Sequence, residues 1–147
     1  MENRHGLCAD IQLHNPITQR EPAVALSQMQ NLTKLHEGTR PRTIAADKGY
    51  HERAFVAHCR ERGIRPHVAQ KDGLKTPGMD GRTTRGDAYR SSQRIRKRVE
   101  EIFGWMKTIG GLRRSRYRGL DRTQAWGYFV AGAYNLIRMA TLEKANT

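Results

Sequence analysis

The order strand, helix, strand between Arg42 and Ala69 constrains this chain most. Arg42-Thr-Ile-Ala-Ala46 is a short apolar run ending at Asp47. His51 to Arg62 reads as a helix stopped by Gly63, and Ile64 to Ala69 reads as a second strand. A helical crossover between neighbouring strands makes them parallel and the connection right-handed, so the spacing predicts a βαβ unit and an α/β fold. Asp47 then stands at the carboxyl end of a parallel strand, the edge where open α/β sheets bind ligands. Gly49 is expected to permit the sharp turn that follows it.

Other elements are read around this unit. Residues 1–13 are expected to form a strand hairpin, with Arg4-His5-Gly6 as its turn. Gln19 to Glu37 reads as a helix with Pro22 in its first turn, an apolar side of Val24, Met29, Leu32 and Leu35, and Gly38 as its stop. Residues 70–92 are Lys-, Arg-, Gly-, Thr- and Pro-rich and read as a basic loop. Gly110-Gly111 ends the next helix. Asp121 and Gln124 fit a capping box opening the last helix, which runs to Glu143. Trp126, Tyr128, Phe129 and Tyr134 are assigned to the core. Leu112-Arg-Arg-Ser-Arg-Tyr-Arg-Gly119 is a basic connection, and Tyr117 and Trp105 are expected to pack on the last helix.

The helix from Ser92 to Ile109 carries the most chemistry. At 100° per residue, Ile95, Val99, Ile102, Phe103 and Met106 form a core stripe roughly 80–100° wide. Arg96, Glu100 and Lys107 fall together on one flank within roughly 40°, while Glu101 faces solvent. An i, i+4 Arg96–Glu100 pair is also an ordinary stabilising helix ion pair. Asp47 supplies a second carboxylate, and two or more carboxylates suit Mg²⁺ through oxygen ligands. Paired ions in such a site can activate a water or 3′-hydroxyl at phosphorus.

Bulk charge agrees with a phosphate-bearing partner. The 147 residues hold 27 Lys and Arg against 14 Asp and Glu, a net charge of +13. A basic excess of this size, clustered in Arg runs, points to nucleic acid rather than to a membrane surface. Cys8 and Cys59 have no CxxC spacing and read as free thiols of a reducing compartment. No His pairs with Cys at zinc-ligand spacing, and His51 and His58 read as surface residues. Residues 1–12 contain charges throughout and do not read as a signal peptide. The apolar run from Ala125 to Leu142 contains Asn135 and Arg138 and reads as a buried helix rather than a membrane span.

Several of these motifs occur together in one family. Ala46-Asp-Lys-Gly-Tyr50 and Ser92 to Lys107 resemble bacterial insertion-sequence transposases of the DDE type, "insertion sequence five" group. The resemblance extends through Met1 to Leu7, Asp80-Gly-Arg-Thr-Thr-Arg85, Gly110-Gly-Leu-Arg113, Arg118-Gly119 and Ala133-Tyr-Asn-Leu136. It implies a ribonuclease H-like fold, a mixed sheet flanked by helices. The family signature is Tyr, two residues, Arg, three residues, Glu, six residues, Lys, which Arg96, Glu100 and Lys107 match. Gln93 occupies the Tyr position, and Tyr89 lies one turn earlier as its stand-in.

The resemblance implies that Asp47 and Glu100 are catalytic carboxylates and ligands of Mg²⁺ or Mn²⁺. It implies double-stranded DNA, as transposon ends and target, as partner, and metal-dependent cleavage and strand transfer as activity. Arg96 and Lys107 are then expected on the DNA backbone, joined by Arg94, Lys97, Arg98, Arg113, Arg114, Arg116 and Arg118. A cytoplasmic, nucleoid-associated protein follows, acting as a homo-oligomer or in assembly with a full-length transposase.

One departure limits the activity. The family's first catalytic aspartate lies on the central strand, upstream of the hairpin, and Asp10 is not at that position. The chain therefore reads as the C-terminal part of a catalytic domain lacking its first, central strand. Its expected divisions are 1–69 (hairpin, helix, βαβ unit), 70–92 (basic loop) and 93–147 (glutamate-bearing helix and C-terminal helix). The alternative is an inactive DNA-binding or regulatory fragment. A generic RNA-binding domain finds no aromatic RNP motif to support it.

Overall fold

The computed structural model describes residues 1–15, 17–35, 41–71, 81 and 84–145. Their order is α1 (Glu21–Leu35), β1 (Thr43–Ala46), a 3₁₀ turn (Lys48–Tyr50), α2 (Arg53–Glu61), β2 (Arg65–Val68), α3 (Asp87–Arg96), α4 (Arg98–Thr108) and α5 (Leu120–Ala145). The expected Gly38 stop, most of the 70–92 loop, and Asp80, Arg82 and Thr83 of the loop motif lie outside the described residues. The chain divides into two units, residues 15–96 and residues 1–14 with 97–147.

In the 15–96 unit, β1 and β2 pair in parallel, Thr43 with Arg65 through Ala46 with Val68. The expected βαβ order is present, as a small parallel sheet flanked by helices. Alternation along β2 sends Ile64 and Val68 to one face and His67 to the other. The first face joins Met29, Ala46, Phe55, Val56 and Cys59 in the core. The second is closed by Ser92 of α3, whose hydroxyl lies 2.7 Å from His67 Nδ1. α2 ends in a Schellman motif: Ile64 N–H donates to Cys59 O and Gly63 N–H to Arg60 O, with Gly63 at φ 67°.

In the other unit, α4 packs on α5. Ile102 and Met106 meet Ile11, Val130 and Ala131, with Trp105, Trp126 and Tyr134 around them. Gly110 is required there, because a Cβ would sit 2.4 Å from Val130 Cγ1 and 2.7 Å from Met106 O. Trp105 stacks edge-on against Tyr134 and Tyr117 lies tilted on Trp126, as expected of both aromatics.

The hairpin expected over 1–13 is replaced by another device. The turn forms at residues 3–5, but Leu7–His14 is in no strand. Its backbone pairs with two amide side chains of α5 instead. Asn135 accepts from Cys8 N–H at 2.8 Å and donates to Cys8 O at 2.9 Å. Gln124 accepts from Leu13 N–H at 2.7 Å and donates to Ile11 O at 2.9 Å. The spacing fits: eleven helical residues rise about 16 Å, and five residues bridge about the same length only when extended. Without a partner strand, these amides satisfy the strand's backbone groups. The capping box accordingly does not form. α5 begins at Leu120, Gly119 O accepts from Thr123, and Gln124 is used by the strap.

The helix expected from Ser92 to Ile109 is two helices. α3 starts earlier, at Asp87, inside the stretch expected as loop, and ends at Arg96. At Lys97 the bonding tightens, Glu100 N–H donating to Lys97 O, and α4 begins at Arg98. Arg94, Arg96, Lys97 and Arg98 crowd this point, and like charges at i, i+4 weaken a helix. Each half is also tied to its own core, Ser92 to β2 and Ile102 with Met106 to α5. The single stripe therefore fails: Ile95 and Val99 are half-buried and Phe103 is exposed. Tyr128 and Phe129, assigned to the core, are exposed as well, whereas Trp126 and Tyr134 do pack. Among the described residues no helix is long and apolar enough to cross a membrane.

Candidate metal and nucleic-acid site

Asp47 follows β1 directly and caps the 3₁₀ turn. Its backbone is extended and its Oδ1 accepts from Gly49 N–H at 2.8 Å. Gly49 does not use a left-handed conformation. A Cβ there would lie 3.0 Å from Asp47 Oδ1, so glycine leaves room for the carboxylate. Asp47 itself is exposed. Beside it, Tyr50 lies edge-on to Phe55. Burial, then the charges of Glu21 and Asp47, push the Tyr50 phenol up to about 12, so it stays a neutral donor.

Gln93 is the residue that the sequence reading missed. Its Nε2 donates to His67 O at 2.7 Å and to Ala46 O at 3.3 Å, tying α3 to the ends of both strands. Its Oε1 accepts from Arg96 Nε at 3.2 Å. One amide thus joins the residue before Asp47 to the guanidinium of Arg96. The only signal in the sequence was that an amide stands where the signature has Tyr. Tyr89 meets His67 edge-on and does not take over this role.

His51, expected on the surface, is buried near this edge, and so is His67. Burial and, secondarily, Arg65 push the His67 imidazole down, and it bonds Ser92. His51 is pushed down by burial and then by Lys71, whose N–H donates to His51 Nδ1 at 3.5 Å. His58 is half-buried on α2.

On α4, Glu100 and Lys107 are seven residues apart and share one helix face. Both are exposed, so Glu100 is not held at a core edge; Glu101 is exposed as expected. Arg96 belongs to α3 and the other unit, so the expected three-residue face reduces to Glu100 and Lys107. Asp47 and Glu100 likewise lie in different units.

The cations are presented outward. Arg94, Lys97, Arg98, Arg113, Arg114, Arg116 and Arg118 are exposed, and Arg96 is half-buried. The connection 112–119 is shaped by Ser115, whose Oγ accepts from Tyr117 N–H at 3.1 Å and lies 3.2 Å from Thr123 Oγ1. Tyr117 turns back onto Trp126 while the arginines around it remain exposed.

Carboxylate oxygens suit a hard divalent cation. Among the described residues, however, no three His, Cys, Asp or Glu converge on a point.

Comparison with known proteins identifies a family. The family described as "Transposase DDE domain" matches residues 4–136. No curated protein and no solved structure shows significant similarity to the chain. The match covers almost the whole chain, including Asp47, Gln93, Arg96, Glu100 and Lys107, and the chain belongs to the DDE transposase family.

Proposed function

We propose that this chain acts in DNA transposition as the C-terminal part of an "insertion sequence five"-type catalytic domain of ribonuclease H-like fold. Its divisions are 1–69, 70–92 and 93–147. Asp47 and Glu100 are two of the metal-binding carboxylates, and DDE transposases generally use a divalent metal. Mg²⁺ or Mn²⁺ supplies Lewis-acid chemistry when bound. The residues of this chain bind and orient the DNA. Arg96 and Lys107, with Arg94, Lys97, Arg98, Arg113, Arg114, Arg116 and Arg118, take the phosphates of transposon ends and target. The reaction is cleavage and strand transfer in the cytoplasm, by a homo-oligomer or an assembly with full-length transposase. One observation carries the reading: Asp47 ends a parallel strand, and Gln93 links that strand end to Arg96.

The second reading is a DNA-binding or regulatory fragment without catalysis. It is favoured by the lack of a three-ligand cluster among the described residues. The same experiment tests both. The 147-residue chain and a full-length form are assayed for end binding by gel shift and for Mg²⁺-dependent cleavage. Asp47→Ala and Glu100→Ala in the full-length form are expected to abolish cleavage, with the gel shift unchanged. Cleavage surviving in either variant removes that carboxylate from the site. Binding without cleavage by both the isolated chain and the full-length form selects the second reading.

A further inference from the structure

Two neighbouring residues of α3 reach the same strand residue. Ser92 Oγ lies 2.7 Å from His67 Nδ1, and Gln93 Nε2 donates to His67 O at 2.7 Å. Tyr89, one turn earlier, packs edge-on against the His67 ring. Ser92 and Tyr89 therefore hold α3 to the sheet without help from Gln93. The other carbonyl that Gln93 reaches, Ala46 O at 3.3 Å, already accepts from Ala69 N–H at 3.1 Å. Gln93 takes its second lone pair, so the carbonyl is not orphaned without it.

What Gln93 alone supplies is an acceptor for Arg96. Its partners leave the amide one orientation. Carbonyls only accept and a guanidinium only donates, so Nε2 must face the strands and Oε1 the arginine. Oε1 accepts from Arg96 Nε at 3.2 Å. Arg96 is the last residue of α3, where a helix frays most easily. The guanidinium is planar, so a bond at Nε orients the whole group. It leaves Nη1 and Nη2 as the edge that can fork onto a phosphate. Among the described residues these two nitrogens bond no other group. Arg94, two residues earlier, is exposed and has no such acceptor among the described residues.

We propose that Gln93 is a positioning residue for DNA binding, which holds Arg96 by Nε in advance for end-on contact with one phosphate. Ordering a long side chain before binding rather than during it is worth about twofold to tenfold in affinity. The inference rests on the proposed phosphate contact of Arg96 and on no part of catalysis.

Two measurements on the 147-residue chain test it. The first needs no DNA. Exchange of arginine Nε–H protons with water is followed by heteronuclear NMR. Arg96 Nε–H is expected to exchange more slowly than Arg94 Nε–H, and Gln93→Met to remove the difference. The second is a double-mutant cycle in affinity for a labelled duplex, read by fluorescence anisotropy over a range of salt, since phosphate contacts do not depend on sequence. Arg96→Gln is expected to weaken binding and to shallow the log–log salt slope by about 0.9. Gln93→Met is expected to weaken binding by about twofold to tenfold, and to have no further effect in the Arg96→Gln background. A merely loosened α3 would disturb Arg94 as well and weaken binding in both backgrounds. Unchanged far-UV circular dichroism confirms that the variants fold.

An Arg96 Nε–H that exchanges as fast as that of Arg94 in the unsubstituted chain overturns the proposal, whether or not Gln93→Met folds. A Gln93→Met loss that persists in the Arg96→Gln background overturns it too, as does no loss where Arg96→Gln itself weakens binding. In these cases the phosphate contact of Arg96 stands. Unchanged affinity and slope in Arg96→Gln instead remove that contact, and the proposal with it.

Discussion

Gln93 shows how much a single side chain organises at this sheet edge. Its amide satisfies two strand carbonyls and still has an oxygen left for Arg96. A Tyr at that position has one hydroxyl and cannot make the same three bonds. The histidines beside it give a titratable consequence. His67 and His51 are both held below their ordinary value, first by burial and then by Arg65 and Lys71 respectively. The unfolded chain therefore binds more protons than the folded one below about pH 6.5. Their contribution to stability is complete above that pH and is lost as pH falls through the depressed folded values. The urea midpoint is expected to drop between about pH 7 and pH 5.5, before carboxylates titrate, and less so in His67→Asn. A midpoint that holds or rises toward pH 5.5 contradicts the downward shift of the buried histidines.

At the scale of elements, the strap along α5 is the least local feature of the fold. Cys8 gives both backbone groups to one Asn135 amide, 127 residues away. Asn135→Ala leaves a part-buried N–H and C=O without those partners, and each such group costs about 1–3 kcal/mol. The variant is expected to lose about 2–4 kcal/mol of unfolding free energy. Hydrogen exchange at the Cys8 amide should quicken in parallel. A loss under about 0.5 kcal/mol, well below the cost of one such group, would mean that water replaces the amide. The break at Lys97 belongs to the same scale. Periodicity treats residues 92–109 as one rod, yet α3 and α4 serve different cores, and neither tie is visible in a local window. Phe103 was placed inside for that reason and lies outside.

For the whole molecule, charge is the dominant property. Nine cations are proposed on phosphate, and each neutralised phosphate steepens the salt dependence of binding by about 0.9 in log–log slope. Replacing Arg113, Arg114, Arg116 and Arg118 together by Gln is expected to shallow that slope by roughly 2–4. Fluorescence anisotropy on labelled duplex at several salt concentrations measures it. An unchanged slope would assign the four arginines to solvent. They are exposed and lie away from the buried core of their unit, so little effect on stability is expected.

Local pattern by itself determined the strand–helix–strand unit, Asp47 at its strand end and the Gly63 stop. All of these depend on residues a few positions apart, where steric and periodic rules act directly. Tertiary structure alone decided the partners of backbone and side chains that are distant in sequence. It turned a hairpin strand into a strap on Asn135 and Gln124, divided one helix into two, and left Tyr128 and Phe129 outside. It also joined Gln93 to both strands. The physical reason is that a backbone N–H or an apolar side chain specifies only that it be satisfied or covered, and only the packed chain selects by what.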